Sequence, residues 1–185
     1  MDTDWTCLDI DRSHDLELMR RFGGGCDAAF AELVRRHQQN LVNLFRRLGA
    51  DAHSAEDCGQ ETFVRLYKYR KSYRPSAPFG SFLYTLARNS WIDHVRARNR
   101  WIAAAVGDDR SLEVADERRD DKLDLGDAVA KLPESARWVL ILSIHQGLNY
   151  AEIAEVLAIP LGTVKSRMFY AVRKLREVLH AKLEL

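Results

Sequence analysis

The stretch LNYAEIAEVLAIPLGTVKSRMFYAVRKL, residues 148–175, decides the fold of the C-terminal part of the chain. Apolar residues recur at helical spacing in YAEIAEVL, residues 150–157, and again from Gly162 or Thr163 onward. The break between these segments ends in Pro160, which suits the entry of a helix. Two helices joined by a turn of about three or four residues form the helix-turn-helix motif, which the sequence therefore predicts here.

The second of these helices is predicted to bury one face and to expose the other. In a helical projection of about 100° per residue, the apolar residues form one stripe: Val164, Met168, Ala171, Val172 and Leu175. The opposite side holds Ser166, Phe169, Tyr170 and Arg173. In the major groove of DNA, an exposed ring can contact thymine methyl groups, and the cations can reach base edges and phosphates. The alternative is that Phe169 packs on another helix and that the cations are only solvated.

The near-neutral charge of the 185-residue chain hides an uneven distribution. The formal net charge is +1, made of −3 in residues 1–21, +6 in 22–102, −5 in 103–127 and +3 in 128–185. Basic segments favour a polyanion such as nucleic acid, whereas an acidic connector would avoid it.

Several classes of protein are disfavoured by composition. Cys7, Cys26 and Cys58 are odd in number and form no CxxC pair, which argues against a disulfide framework or a zinc module and for a reducing cytosol. The six histidines show no metal-ligand spacing, and we expect no metal or cofactor. The longest apolar run, WVLILSI at 138–144, is too short to span a bilayer, and the acidic N-terminus is unlike a signal peptide.

Helical periodicity dominates the chain, and strand signals are nearly absent. The predicted fold is all-α, with two small helical domains joined by a flexible acidic linker. We predict helices at 27–48, 54–70, 79–101, 126–131, 135–145, 150–157 and 162–181. The predicted organisation is an acidic tail at 1–21, a first domain at 22–102, a linker at 103–125 and a second domain at 126–185.

A candidate binding face lies on the helix predicted around AEDCGQETFVRLYKY, residues 55–69. Ser54 is predicted to cap this helix, with Asp57 completing a variant of the capping box. Asp57, Gln60 and Glu61 share one face by their i, i+3, i+4 spacing. The spacing alone leaves open whether this face is a solvated acidic edge, favoured by helix-start electrostatics, or a docking surface.

A second candidate site lies in RPSAPFGSFLYTLARNSWIDHVRARNRW, residues 74–101. Two prolines and a glycine predict a loop at 74–80, and the helix after it carries a polar stripe. That stripe consists of Asn89, Asp93, Arg96 and Arg100. Unstacked bases need hydrogen-bonding groups and aromatic faces, and phosphates need cations, so this stretch suits single-stranded nucleic acid.

Two ambiguities remain in that helix at the level of sequence. Tyr84 and Trp91 are either stacking platforms for bases or core residues, and amphipathic helices more often use such residues in the core. Asp93 either pairs with Arg96 or Arg100, or takes part in DNA binding.

These motifs together resemble the extracytoplasmic-function (ECF, group 4) bacterial sigma factors of the sigma-70 family. Residues 150–177 are similar to region 4, whose usual signature contains EIA..L..P.GTVKSR; residues 55–69 resemble region 2.2, and 74–101 resemble regions 2.3 and 2.4. Two positions depart from the pattern. Ala158 stands where the turn usually has glycine, at a cost of about 1 kcal/mol if its φ is positive. Tyr170 stands where many members have arginine or another polar residue.

The resemblance implies a sigma factor, not an enzyme, that needs no cofactor. Such a protein binds core RNA polymerase, directs it to promoters with −10 and −35 elements and promotes transcription initiation. The implied partners are the β′ clamp coiled coil and the β subunit of core polymerase, promoter DNA and an anti-sigma factor. The protein would be a monomer when bound to polymerase, without inserting into a membrane. It would be cytoplasmic, or held at the membrane by the anti-sigma factor.

The resemblance also implies roles for individual residues. The polymerase-binding residues would be Asp57, Gln60, Glu61 and Arg65. The −10 element would be bound by Phe79, Gly80 and Ser81 in the loop, and by Arg88, Asn89, Asp93, Arg96 and Arg100. The −35 element would be bound by Thr163, Lys165, Ser166, Arg167, Phe169, Tyr170, Arg173 and Lys174.

Two other functions compete with this interpretation. A stand-alone helix-turn-helix regulator would explain residues 150–176 but not 54–100, and such proteins usually dimerise on paired half-sites. An enzyme acting on nucleic acid is disfavoured, because the sequence shows no metal-site carboxylate cluster, P-loop or Ser/His/Asp arrangement.

Overall fold

The computed structural model of the chain describes residues 14–73, 78–106 and 125–183. Within these ranges the regular elements are helices and no strand occurs, which confirms the all-α prediction. The α-helices are α1 (Asp15–Gly23), α2 (Asp27–Leu48), α3 (Ala52–Tyr69), α4 (Phe79–Val106), α5 (Leu125–Ala130), α6 (Glu134–Ile144), α7 (Tyr150–Leu157) and α8 (Leu161–Leu183). A short 3-10 turn at Arg70–Ser72 follows α3.

Helices α1 to α4 form the first bundle, in which α2 contacts α1 and α3, and α3 contacts α4. Aromatic rings fill much of its interior: Phe22 and Phe30 stack with centroids 4.7 Å apart, and Phe45 stacks on Trp91 at 6.0 Å. The helix α1 was not predicted from the sequence, which placed residues 15–21 in an acidic tail. It belongs to this bundle because Leu18, Met19 and Phe22 are buried in its core.

Helices α5 to α8 form the second bundle, in which α8 contacts α5, α6 and α7. Helix α6 is apolar on most sides and lies in the interior, which explains the continuous run WVLILSI. Helix α7 begins with a complete capping box: the Asn149 side chain accepts from the backbone N–H of Glu152, and the Glu152 carboxylate accepts from the backbone N–H of Asn149. This cap fixes the start of the first helix of the helix-turn-helix.

Three sequence-based boundaries differ in the structure. The N-cap of α3 is Asp51, whose carboxylate accepts from the Ser54 backbone N–H at 2.9 Å, so the predicted Ser54–Asp57 capping box is wrong. Phe79, Gly80 and Ser81 lie in the first turn of α4 and not in a loop. Residues 103–106 of the predicted linker continue α4, and residue 125 begins α5; the rest of that linker lies outside the described residues, as do 74–77.

The two bundles are in direct contact, with α4 against α7, and α2 against α5 and α6. Among the described residues, side-chain hydrogen bonds cross this joint. Trp91 Nε1 donates to Glu134 Oε1 at 2.7 Å, Arg137 Nη1 donates to the Leu48 carbonyl at 2.8 Å, and the Tyr84 hydroxyl donates to Gln146. Arg137 also donates to the carbonyls of Ala130 and Leu132, within its own bundle.

The cysteines differ in part from expectation. Cys26 is disulfide-bonded, which the sequence analysis did not expect of a reduced cytosolic chain. Cys58 is a free thiol, 3% exposed, and burial raises its pKa to about 11, so it packs as a small apolar residue. Among the described residues, no helix combines the length and apolarity that crossing a membrane requires.

Candidate nucleic-acid interfaces

Helix α8 has the two faces that the helical projection predicts. Val164 and Ala171 are fully buried and Met168 is 8% exposed, so this stripe seats the helix on its bundle. Phe169 on the other side is 70% exposed. The alternative that Phe169 packs on another helix is therefore wrong, and its ring is available for an external contact.

The side chains predicted to contact the −35 element surround that ring. Lys165, Ser166 and Arg173 are exposed, whereas Thr163, Arg167, Tyr170 and Lys174 are half-buried. Tyr170 departs from the projection: its ring packs partly on the core and lies 5.9 Å from Arg173 Cζ. A shallow groove of about 380 Å³ runs along this face, and it is lined by Tyr150, Lys165, Met168, Phe169, Val172, Arg173 and Arg176.

The turn between α7 and α8 sets the angle at which this face is presented. Ala158 adopts the left-handed conformation, with φ 50° and ψ 49°, in the position where the sequence pattern favours glycine. The backbone N–H of Ile159 donates to the Ala154 carbonyl at 3.0 Å, which closes the end of α7. The predicted strain is therefore present, and the surrounding packing holds it.

Helix α3 presents the predicted acidic face to solvent. Asp57 and Glu61 have side chains 56% and 45% exposed, and Gln60 is exposed beside them. The opposite face of the helix is buried through Ala55, Cys58, Thr62 and Leu66. The three polar side chains thus remain together on one open surface.

Arg65, the fourth residue of the predicted polymerase-binding set, is placed differently. Its side chain is only 21% exposed and bridges two carboxylates: Nε donates to Glu61 Oε1 at 2.9 Å, and Nη2 donates to Asp93 Oδ2 at 2.8 Å. Burial lowers the pKa of Arg65, but the hydrogen bonds that it donates to Asp93 and Glu61 outweigh this effect and leave its pKa above the usual value. Asp93, which the sequence would pair with Arg96 or Arg100, is therefore held mainly from α3.

Helix α4 carries the predicted polar stripe on its surface. Asn89, Asp93, Arg96 and Arg100 are exposed, and Arg88 is half-buried. Tyr84 and Trp91 are each 4% exposed, so the structure places both in the interior and favours the core alternative over the stacking one. The stripe can offer an amide, a carboxylate and guanidinium groups to a nucleic acid at successive turns of one rigid helix.

The start of α4 is more buried than the sequence suggests. Phe79 is 5% exposed, with its ring 5.2 Å from that of His37 and 6.5 Å from that of Tyr73. Ser81 is also 5% exposed, and its hydroxyl has no hydrogen-bond partner among the described residues. Gly80 is half-buried beside them. These three residues are therefore buried or half-buried at the start of α4, and not exposed on a loop.

Sequence reasoning missed two features near this region. Trp101, near the end of α4, is 73% exposed. The signal in the sequence is that its neighbours three and four positions earlier, Arg98 and Ala97, include no large apolar side chain to pack against it. The second feature ties α1 to α2: Asp15 Oδ2 lies 2.8 Å from His37 Nε2, and Asp15 Oδ1 lies 3.1 Å from Arg36 Nη1. The hydrogen bond from His37 is the main reason that the pKa of Asp15 lies below its usual value.

The described part of the chain contains no group of three His, Cys, Asp or Glu side chains that could hold a metal ion. The candidate sites are accordingly surfaces of hydrogen-bonding, cationic and aromatic groups.

Comparison with known proteins matches both bundles to one family. The model of Sigma-70 region 2 matches residues 33–101, and that of Sigma-70 region 4 matches residues 128–177. The RNA polymerase sigma-H factor of Pseudomonas aeruginosa is 32% identical, over 88% of this chain and 92% of that protein. The ECF RNA polymerase sigma factor SigE of Mycolicibacterium smegmatis is 33% identical over 80% of this chain, a match that spans 60% of that longer protein.

A solved structure shares the arrangement of the helices. CnrH, in complex with the cytosolic domain of CnrY, superposes with a TM-score of 0.69 at 26% identity, covering 90% of this chain and 97% of that one. The two family models cover most of the described helices, and the relatives match along most of the chain. The chain therefore belongs to the ECF sigma factors of the sigma-70 family.

Proposed function

We propose that this sigma factor acts through three separate surfaces. The acidic face of α3, formed by Asp57, Gln60 and Glu61, docks on the β′ clamp coiled coil of core RNA polymerase, and further contacts reach the β subunit. The polar stripe of α4 reads the −10 element as single-stranded DNA, and the outer face of α8 reads the −35 element in the major groove. The protein contributes binding and positioning, and no catalytic step of its own.

The observation that carries this proposal is the presence of two exposed nucleic-acid faces on two different bundles. The stripe of α4 is exposed at Asn89, Arg96 and Arg100, and α8 is exposed at Phe169 and Arg173. A stand-alone helix-turn-helix regulator needs only the second face. It would leave unexplained both the α4 stripe and the acidic face of α3.

Promoter geometry then requires the two bundles to separate. The −10 and −35 elements lie roughly 25 base pairs apart, or about 85 Å at about 3.4 Å per base pair. The bundles touch through Trp91–Glu134 and Arg137–Leu48, so in this arrangement they cannot occupy both elements at once. Tethering raises the effective concentration of the second site once the first is bound.

An anti-sigma factor is the second protein partner that we propose. The likeness to CnrH covers most of both chains, and CnrH was solved with the cytosolic domain of CnrY bound to it. An arrangement in which both bundles touch offers one continuous surface to a protein that wraps around them. The sigma factor would then be kept in the cytoplasm, or at the membrane through that partner, until the partner is released.

Run-off transcription with purified core polymerase and promoter fragments tests this function. We expect transcripts that depend on the protein and start at defined sites. Asp57→Arg should abolish them by preventing polymerase binding, and Arg173→Ala should reduce them by weakening −35 contact. Arg46→Ala is the matched control for the second variant, since Arg46 is exposed on α2, away from the three surfaces.

Two results would contradict the proposal. The first is the absence of both transcripts and co-purification with core polymerase, together with tight binding of duplex DNA by the protein alone. The second is wild-type transcription by Asp57→Arg, provided that this variant melts like the parent protein.

A further inference from the structure

The polar stripe of α4 contains one carboxylate among its amide and guanidinium groups. Asp93 lies one turn after Asn89 and one turn before Arg96, and its side chain is 54% exposed. A carboxylate at this point repels the phosphates that the neighbouring arginines attract. A carboxylate on a face proposed to bind DNA therefore needs a nearby cation to offset its negative charge. We look for such a cation, and for a contact with DNA that a carboxylate could make.

Arg65 supplies the charge balance from the adjacent helix. The guanidinium holds Asp93 Oδ2 through Nη2 at 2.8 Å, while Nε is held by Glu61 at 2.9 Å. The Arg65 side chain is only 21% exposed, whereas the Asp93 side chain is 54% exposed, so the guanidinium is the more constrained partner and solvent reaches the pair from the Asp93 side. The interaction spans 28 positions in the sequence, so it fixes the position of α3 relative to the reading face of α4.

The bridge uses only one oxygen of Asp93. The other, Oδ1, is 3.9 Å from Arg96 Nη1, beyond hydrogen-bond distance, and has no other hydrogen-bond partner among the described residues. The carboxylate is thus neutralised and oriented through Oδ2, which leaves Oδ1 as an acceptor on the exposed stripe that also carries Asn89. This arrangement leaves one fixed acceptor on a surface whose other groups are mostly donors.

We propose that Asp93 Oδ1 accepts a hydrogen bond from the exocyclic amino group of a −10 base, and that Arg65 is the positioning residue for this contact. Carboxylate side chains read the amino group of cytosine N4, and adenine N6 is the other amino donor on the same edge. At the position of these two amino groups, guanine presents O6 and thymine presents O4, and a carboxylate repels both carbonyl oxygens; the amino group of guanine, N2, lies at the other end of its base-pairing edge. The position that faces Asp93 is therefore specified as adenine or cytosine.

The same bridge changes the role assigned to Arg65 itself. Both of its polar ends are engaged inside the protein, so Glu61 and Asp93, and not polymerase, are its partners. Glu61 belongs to the proposed polymerase-docking face. Loss of Arg65 should consequently affect base preference more strongly than polymerase binding. This inference rests on the function proposed above.

The experiment measures binding of the reconstituted holoenzyme to promoter fragments in which each −10 position carries each of the four bases in turn. At one position, the wild type should prefer adenine or cytosine over guanine and thymine by about tenfold. Asp93→Ala should reduce this ratio to about one. Arg65→Gln should reduce the ratio several-fold, while its affinity for core polymerase should stay within about twofold of that of the wild type. The double variant should show no further loss beyond Asp93→Ala, because the two residues act as a unit.

Arg98→Gln is the matched control, since Arg98 is an exposed arginine of the same helix outside the stripe. It should weaken all sequences equally and leave the base preference intact. Replacing the favoured adenine by purine, which lacks only the amino group, should reproduce the effect of Asp93→Ala in the wild type.

Three outcomes would overturn the inference. An unchanged base preference in Asp93→Ala would show that the carboxylate does not read a base. Loss of core-polymerase affinity in Arg65→Gln would return Arg65 to the docking surface. An unchanged preference in a folded Arg65→Gln would leave Asp93 without the proposed positioning. If any of these results is found while the wild-type holoenzyme transcribes normally, the proposed sigma function is supported and only the contact between Asp93 and the base is ruled out.

Discussion

Helices α4 and α8 each carry one candidate DNA surface, yet they hold their charged side chains in different ways. On α4, Asp93 is tied to a neighbouring helix through Arg65, whose side chain is mostly buried. On α8, Glu177 pairs with Lys174 at 2.7 Å and with Arg173 at 3.7 Å, all within the same helix. Those three side chains are 44% to 57% exposed, so water and salt compete with their pairing.

This difference matches the two kinds of DNA that the helices are proposed to bind. A single flipped base must meet hydrogen-bonding groups at fixed positions, and a cross-helix bridge supplies them. A duplex presents a regular backbone and groove, to which flexible cations can adjust after docking. We therefore expect the surface of α4 to be formed before DNA binds, and the side chains of α8 to rearrange when DNA binds.

The largest expected effect on stability comes from disrupting the buried stripe by which α8 packs on its bundle. Val164→Asp places a carboxylate in a fully buried position with no partner, which should reduce the free energy of unfolding by about 3 kcal/mol or more. Urea unfolding followed by circular dichroism measures this loss. Lys165→Asp, at the exposed position next to it, should unfold like the wild type and lose −35 binding. Equal stability of both variants would show that α8 is not seated through Val164.

The next effect separates folding from binding at Phe169. Because the ring is 70% exposed, Phe169→Ala should change the free energy of unfolding by less than about 0.5 kcal/mol. Holoenzyme affinity for a −35 duplex should fall about tenfold, since the ring is proposed to contact the groove. A clear loss of stability without a loss of affinity would reassign Phe169 to an internal contact.

A smaller effect tests the turn that orients α8. Ala158→Gly should raise the free energy of unfolding by about 1 kcal/mol, because glycine adopts a positive φ without the penalty from Cβ. Ala97→Gly, at an exposed position in the middle of α4, should lower it by about the same amount. Thermal melting of both variants gives the comparison, and a decrease in stability for Ala158→Gly would contradict the strained turn.

The smallest effect sharpens the comparison between the two charge arrangements. In a double-mutant cycle on stability, Arg65 and Asp93 should couple by about 0.5 kcal/mol, since Asp93 is more than half exposed and solvent screens the pair. The coupling of Lys174 with Glu177 should be weaker and should disappear in high salt, whereas the Arg65 pair should persist. Equal salt sensitivity of the two pairs would remove the distinction between α4 and α8.

Local patterns in the sequence predict much of this structure. The bounds of α2 and α7 agree with the sequence-based ones, because both helices have strong apolar periodicity and clear ends. The buried stripe and exposed ring of α8 also follow from periodicity alone. The helix α1 was missed because it has only nine residues. Its three buried residues form a short apolar pattern within an acidic segment, which gives a weak signal of helical periodicity.

The remaining features depend on contacts that no local pattern contains. The bridge from Arg65 to Asp93 joins residues 28 positions apart, which no local pattern predicts. The family resemblance therefore placed Arg65 on the docking face, and the sequence left Asp93 either paired within its own helix or in contact with DNA. The start of α3 at Asp51 was missed for a more local reason. Ser54 and Asp51 are both good capping residues, and only the geometry decides between them. The proposed functional residues come from the family motif, and their roles in binding remain predictions.

The contact between the two bundles has a thermodynamic consequence. Trp91 and Tyr84 are buried at this joint, and separation on a promoter exposes their apolar surface unless polymerase covers it. Exposure of apolar surface raises the heat capacity, whereas docking on polymerase lowers it. The heat-capacity change of binding to core polymerase should therefore be less negative for the full chain than for the same chain with its bundles already parted. Calorimetry at several temperatures can then report how far the joint opens when the holoenzyme forms.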